Sequence, residues 1–217
     1  MLSFLPKRFR RSDSFSSKGY WDGRYKNGGD SGEGSYGHLA EFKATNVNRI
    51  IEQNQISSVI EFGCGDGNNL RYYKIPHYIG VDVSETAVAL CSDKFAHEKT
   101  SKTFVGFDDA SDLRAEMTMS LDVIFHLVED QAYYSYLDKL FCCAFKHVLI
   151  YSSDFNARTN SPHVRHRAFT SDVASLFPAW KIVEVIPNAY PSPDIAAYTP
   201  GTSHANFYLY SKMTSVA

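Results

Sequence analysis

No apolar stretch in the 217 residues approaches the roughly 20 that a bilayer-crossing helix needs. A soluble, cytoplasmic chain is therefore expected. An excess of basic charge is also missing: 22 Lys and Arg face 24 Asp and Glu. That excludes wrapping nucleic acid by bulk charge, which needs a basic face, but leaves room for a local basic patch. Cysteine is scarce, and Cys64, Cys91, Cys142 and Cys143 form no CxxC pair. The adjacent Cys142 and Cys143 suit neither a zinc knuckle nor a secreted disulfide framework. All four read as reduced thiols packed as small apolar groups. The start, MLSFLPKRFRRSDSFSSKGY, lacks the apolar centre of a secretory signal. Its Lys7, Arg8, Arg10 and Arg11 read as a frayed basic tail, with a transit segment or a membrane-surface patch as alternatives. The length suits one well-buried domain and would cramp two. No internal repeat is present.

What is present is alternation. EFKATNVNRIIEQNQ spaces Phe42, Val47, Ile50 and Ile51 as a helix does. SSVIEF is a short buried strand, NNLRYYK a short helix and HYIGVDV a second strand. SETAVALCSDKF is a helix with Ser84 as its N-cap. KTFVGF and MSLDVIFHL are the third and fourth strands, and DQAYYSYLDKLFCCA is the helix that follows. KHVLIYSS is the fifth strand, and TSDVASLFP a helix closed by Pro178. KIVEVIPNAY and ANFYLYSKM are the last two strands, joined by a helix-free loop from Pro187 to His204 and paired as a long hairpin. The expected fold is therefore α/β: a doubly wound, mostly parallel, seven-stranded Rossmann-like sheet with its last strand antiparallel.

In such a sheet ligands sit beyond the carboxyl ends of the strands, where the strand order reverses. VIEFGCGDGNNL puts Gly63, Gly65 and Gly67 there. Asp82 ends the second strand, in GVDVS, seventeen residues after Gly65. An acid there can accept hydrogen bonds from both hydroxyls of a ribose, so an adenosine derivative is expected. A dinucleotide fingerprint needs a third glycine where this chain has Asn68. Glu61 and Asp66 are poor neighbours for a pyrophosphate, and good ones for an amino group and a sulfonium. The residues favour S-adenosylmethionine.

VIEFGCGDGNNL followed by YIGVDVS resembles the first two motifs of class I S-adenosylmethionine-dependent methyltransferases. The resemblance runs from about Glu41 to Met213. It implies that the glycine turn, with Gly63, Cys64 and Gly65, lies against the methionine part and that Asp82 binds the ribose. It implies an adenine contact from Asp108 or Asp109 in FDDA, with the choice open. Glu61, Val83 and Leu121 complete the expected cofactor surface of the core. Residues 1–37 divide from the 38–217 methyltransferase domain as a basic tail and a glycine-rich lid. YWDGRYKNGGDSGEGSYGHLAEFKA is too rich in glycine for a helix before His38, yet Tyr20, Trp21, Arg24, Tyr25 and Tyr36 interleave its glycines. It resembles the amino-terminal cover of many members. By that resemblance Arg24 pairs with the methionine carboxylate and the SGEGS turn closes over the cofactor; Trp21 is expected as a further cofactor contact and Tyr36 as an acceptor contact.

The acceptor side has fewer signals. His126 is expected at the end of the fourth strand, with the pKa near 6.5 that suits a general base. Glu129 follows as an acceptor contact, or as a helix-terminal acid together with Asp130. SDFNARTNSPHVRHRAF clusters Arg158, His163, Arg165, His166 and Arg167 after the fifth strand. These suit an anionic acceptor such as a phosphorylated sugar or a carboxylate. Tyr190, Tyr198 and His204 in the hairpin loop are expected to wall the pocket. A metal set of His126 with Glu129 or Asp130 and His163 or His166 is weighed and set aside. Family members with such a set, one of which methylates RNA ends, carry paired glutamates where this chain has Asp122 and Phe125. The expectation is an O-methyltransferase without metal, acting on a hydroxyl of a small molecule or glycan precursor. In style it resembles bacterial enzymes of surface-polysaccharide or natural-product modification. An RNA or protein methyltransferase, and a non-catalytic cofactor-binding partner subunit, are the alternatives.

Overall fold

The computed structural model describes residues 15–194 and 199–213. The basic tail from Lys7 to Arg11 and Tyr198 lie outside them. One seven-stranded sheet runs through the molecule in the order β3-β2-β1-β4-β5-β9-β8. Its strands are β1 (Ser58–Phe62), β2 (His77–Asp82), β3 (Lys102–Gly106), β4 (Ala115–Leu121), β5 (Ala144–Ser152), β8 (Trp180–Ile186) and β9 (Asn206–Lys212). Two-residue strands β6 (Ala157–Arg158) and β7 (Arg165–His166) form a separate small ladder. β9 runs antiparallel to both neighbours and lies between β5 and β8, as a hairpin of the last two strands requires.

The helices are α1 (Ser17–Lys26), α2 (Gly37–Gln53), α3 (Glu85–Lys94), α4 (Asp130–Cys142) and α5 (Phe169–Leu176). Alternation along β1 sends Val59 to one side and Ile60 and Phe62 to the other. α2 covers the first side with Val47, Ile50 and Ile51, against Met117, Leu149 and Phe207. α4 and α5 cover the second with Tyr136, Leu140, Phe169 and Val173. Both faces of the parallel strands are buried, which is why they read as nearly unbroken apolar runs. Ser84 caps α3, its Oγ accepting from the amide of Ala87.

Two expected elements are corrected. The glycine-rich segment before His38 contains α1, through Gly19 and Gly23. Each glycine costs about 1 kcal/mol against alanine, and tertiary contacts outweigh that cost. Ser16 caps the helix at the amide of Gly19. Ser17 gives its amide and hydroxyl to Glu129 at 2.8 and 2.5 Å, and Asp22 accepts from Ser84 at 2.8 Å. The second correction concerns the fourth strand, which spans Ala115–Leu121 and not Met119–Leu127. Asp122 ends it: the amide still pairs with Tyr151 at 3.0 Å, but φ is +60° and the chain turns. Ile124–His126 is a 3-10 turn. Ile124 is buried by the turn, Phe125 reaches the larger cavity, and neither belongs to a strand.

Candidate active site

Beyond the carboxyl end of β1 the chain passes Gly63 at φ +85° and Gly65 at φ +56°. A Cβ on Gly65 would stand 2.3 Å from Ser31 Oγ and 2.8 Å from the Tyr25 hydroxyl. Asp82 fixes the turn from β2. Its two carboxylate oxygens accept from the amides of Gly65 and Ser84, each at 2.9 Å. Burial raises its pKa, and these amides oppose that rise. Each oxygen retains lone-pair capacity for a further donor.

The segment between α1 and α2 lies on this turn. Asp66 Oδ2 accepts from the Ser31 amide at 2.9 Å and from the Tyr36 hydroxyl at 2.7 Å. Ser31 Oγ in turn accepts from the Asp66 amide at 3.0 Å. Tyr36 is thus a latch between lid and turn and lines neither cavity, against the expectation of an acceptor contact.

Two cavities lie to either side of this region, and neither is lined by Gly63, Gly65 or Asp82. The smaller, about 420 Å³, is lined by Lys18, Val83, Gly106, Phe107, Asp108 and Asp109. Asp108 lies 3.7 Å from Lys18 with both side chains exposed. The larger, about 670 Å³, is lined by Trp21, Arg24, Asp122, His126, Tyr151 and His163 among others. Arg24 gives Nη2 to Asp30 Oδ1 at 2.9 Å and Nε to its backbone carbonyl. Glu61 lines neither cavity: it is buried against the Tyr78 hydroxyl at 2.6 Å. Leu121 and Cys64 are enclosed in the core, and Gly63 is covered by Val123.

His126 projects into the larger cavity from the 3-10 turn. Its Nδ1 lies 2.9 Å from the His163 carbonyl. A carbonyl only accepts, so Nδ1 carries the proton and Nε2 keeps its lone pair. Burial lowers the pKa of His126 to about 4, so the ring is neutral at pH 7. Trp21 packs edge-on at 4.9 Å, and His163 stacks at 5.4 Å between His126 and Tyr20. His166 holds Ser153 Oγ at 2.6 Å, and burial lowers its pKa to about 4 as well. His204 lines the same cavity, whereas Tyr190 packs on His38 and Phe42 instead.

The basic loop does not form a free cationic surface. Arg167 is 6% exposed, lies 4.2 Å above the Tyr133 ring and pairs with Asp130 at 2.8 Å. It also donates to the carbonyls of Leu127 and Val128. Arg165 shares Asp130 and the Val128 carbonyl. Arg158 is exposed and lines neither cavity. Glu129 is occupied by Ser17. The expected acceptor contacts of Arg158, Arg167 and Glu129 are therefore corrected, and with them the support for an anionic acceptor. Among the described residues no group of three or more His, Cys, Asp or Glu is placed to hold a metal ion.

Asp122, whose Oδ2 is held by the buried Lys43 at 2.6 Å, and Tyr151 are among the cavity residues that sequence reasoning missed. The available signal was an acid interrupting an apolar run at a strand end.

No protein-family model and no curated protein sequence matches the chain. Solved structures do. N-methyltransferase NodS from Bradyrhizobium japonicum WM9, in complex with S-adenosyl-L-homocysteine, has a TM-score of 0.68 at 12% identity, covering 90% of this chain and 98% of that one. Magnesium protoporphyrin IX methyltransferase ChlM from Synechocystis PCC 6803, with the same ligand bound, has 0.62 at 14%, covering 90% and 97%. The methyltransferase domain of bacterial CtHen1 has 0.61 at 14%, covering 80% and 100%. At these identities the likeness is one of fold. The chain has the Rossmann-like fold of class I S-adenosylmethionine-dependent methyltransferases.

Proposed function

We propose that the protein is an S-adenosylmethionine-dependent methyltransferase acting on a hydroxyl of a small molecule or glycan precursor. The residues around the turn fit the cofactor. The left-handed Gly65 lets Ser31 and Tyr25 close directly onto the turn, where the methionine end would lie beneath them. Asp66 and Asp82 place carboxylates at the turn, which suit a cationic ligand better than a pyrophosphate, whereas Glu61 is withdrawn onto Tyr78. Asp82 would hold the ribose. Val83 with Asp108 or Asp109 would hold the base in the smaller cavity, and Trp21 and Arg24 would cover the methionine end. When bound, S-adenosylmethionine supplies a methyl group on a positively charged sulfur and is left as an uncharged thioether.

The observation that carries the hydroxyl reading is His126. It is neutral, its Nδ1 is committed to a carbonyl, and its Nε2 is available at the cavity. It would receive the proton that a hydroxyl acceptor gives up. A base matched to the working pH contributes about 10²–10⁴-fold; the pKa of about 4 replaces the expected 6.5 and puts His126 at the low end of that range. His126→Gln is expected to lower turnover by about 10²-fold or more and to leave S-adenosyl-L-homocysteine affinity, measured by calorimetry, unchanged. A pKa of about 4 also removes this group's limb from the neutral range. Activity should stay level from roughly pH 5.5 to 8 as far as His126 decides it. Full turnover in His126→Gln refutes the assignment.

A further inference from the structure

The floor of the larger cavity holds a buried donor without a partner. Tyr151 is 2% exposed, and its hydroxyl makes no hydrogen bond among the described residues. Ser203 lies beside it, but no atom meets hydrogen-bond geometry. The ring has little freedom, with Phe207 at 4.6 Å, Phe42 at 6.3 Å and the Lys43 ammonium at 5.7 Å. A buried hydroxyl left unpaired is costly, and such groups call for an explanation. Here the hydroxyl belongs to a residue lining the candidate active site.

An acceptor stands next to it. Leu121 and Tyr151 are register partners on β4 and β5, and the Asp122 amide bonds the Tyr151 carbonyl. The φ of +60° at Asp122 is uncommon for a residue other than glycine. Its Oδ2 is held by Lys43, whose side chain is 1% exposed. Its Oδ1 has no hydrogen bond among the described residues. The carboxylate is thus fixed at one oxygen and open at the other, at the cavity.

The cavity offers no unpaired cation among the described residues. Arg24 is bound to Asp30, and the charge of Lys43 is matched by Asp122. Burial keeps His126 and His166 neutral at pH 7 and lowers the pKa of His163 and His204. A phosphate or carboxylate on the acceptor would find no counter-charge here, whereas a neutral molecule with hydroxyls would.

We propose that Tyr151 and Asp122 determine acceptor specificity by reading two adjacent hydroxyls of an uncharged molecule, a vicinal diol of the sugar type. Tyr151 donates to one hydroxyl and Asp122 Oδ1 accepts from the other. The pair sits at the carboxyl ends of neighbouring strands, within the cavity that also presents His126. This inference rests on the methyltransferase reading and narrows its substrate class.

The test is saturation-transfer NMR on the protein loaded with S-adenosyl-L-homocysteine. The probes are methyl glucoside, mannoside and galactoside, their monodeoxy forms, glucose 6-phosphate and glucosamine. Neutral glycosides are expected to bind, and loss of one hydroxyl of a diol to abolish the signal. Tyr151→Phe should weaken glycoside binding about tenfold without changing the affinity for S-adenosyl-L-homocysteine. It should leave the unfolding midpoint of the unliganded protein unchanged or raised, because the removed hydroxyl had no partner. A purely structural tyrosine would lower that midpoint and spare glycoside binding. Asp122→Asn, which keeps the size of the side chain, should weaken glycoside binding in the same way. The proposal is overturned if phosphorylated or amino sugars bind better than neutral ones, if deoxy forms bind equally, if Tyr151→Phe binds normally, or if the loaded protein takes no glycoside. Failure to bind S-adenosyl-L-homocysteine would instead overturn the cofactor reading, and this proposal with it.

Discussion

Replacing Glu61 by glutamine should change how stability depends on pH, by an amount the fold allows to be worked out. Glu61 is 3% exposed, and its Oε2 accepts from Tyr78 at 2.6 Å. Burial raises its pKa from 4.5 to about 7; the Tyr78 hydrogen bond and nearby Lys43 oppose the rise, and Asp82 adds to it. Between these two values the folded chain holds a proton that the unfolded chain has released. Stability therefore falls as pH rises from about 4.5 through about 7. At about 1.4 kcal/mol per pH unit, the whole fall is on the order of 3 kcal/mol. His126 and His166 act in the opposite sense. Each is neutral when folded down to about pH 4, so each adds stability as pH rises towards 6.5, the ordinary value for histidine. In the wild type the two histidines together outweigh Glu61 and mask its contribution, which the variant removes. Glutamine accepts from Tyr78 as before, but its amide group brings a donor into a buried site. That penalty is the same at every pH, so the slope is the diagnostic quantity. The stability difference between Glu61→Gln and wild type should shift in favour of the variant by about 3 kcal/mol from pH 5 to pH 8. In midpoint that is about 6–12 °C for a chain of this size. Thermal unfolding of both proteins across that pH range measures it. A difference that does not change with pH would refute the argument that Glu61 is buried with a raised pKa.

Two more perturbations separate structural from ligand-facing roles. Arg167→Met should cost about 1–3 kcal/mol of stability, because the Leu127 carbonyl loses its partner while Asp130 and the Val128 carbonyl keep Arg165. Phosphate should not stabilise the wild type through this residue, which thermal shifts with and without phosphate would check in both proteins. Gly65→Ala forces a left-handed alanine at about 1–2 kcal/mol and puts a methyl group where Ser31 and Tyr25 lie. The lid should loosen, so trypsin should cut after Arg24 and Lys26 faster than in wild type, and affinity for S-adenosyl-L-homocysteine should fall. Unchanged cleavage and affinity would mean that the lid does not rest on the turn.

The order of strands and helices was legible because burial on both faces leaves continuous apolar runs between polar turns. Ser84 was legible because a cap is a local hydrogen bond, made three residues away. α1 was not. Two glycines argue against a helix locally, and what overrides them is Ser17 meeting Glu129, 112 residues away, and Asp22 meeting Ser84. The fourth strand was misplaced for a related reason. Val123, Ile124 and Leu127 form an apolar run whether they lie in a strand or in a buried turn. The difference is made by Asp122, drawn to an ammonium on α2.

The same distinction explains why the two halves of the site were unequally readable. The glycine turn and Asp82 lie in adjacent motifs joined by one hydrogen bond, so the sequence shows them together. The wall of the larger cavity comes from α1, the ends of β4 and β5, the β6–β7 ladder and the loop before β9, among others. No short window contains it. Charge was the least reliable guide, because a sequence shows cations without their debts to the backbone. The turn that presents His126 leaves the carbonyls of Leu127 and Val128 without helical or sheet partners, and Arg165 and Arg167 satisfy them. Residues that look like a binding surface for an anion thus act one layer behind, holding in place the turn that carries His126. A neutral cavity follows from that use of the arginines. On the proposed reading, recognition would fall to hydrogen-bonding groups such as Tyr151 and Asp122, which line the cavity.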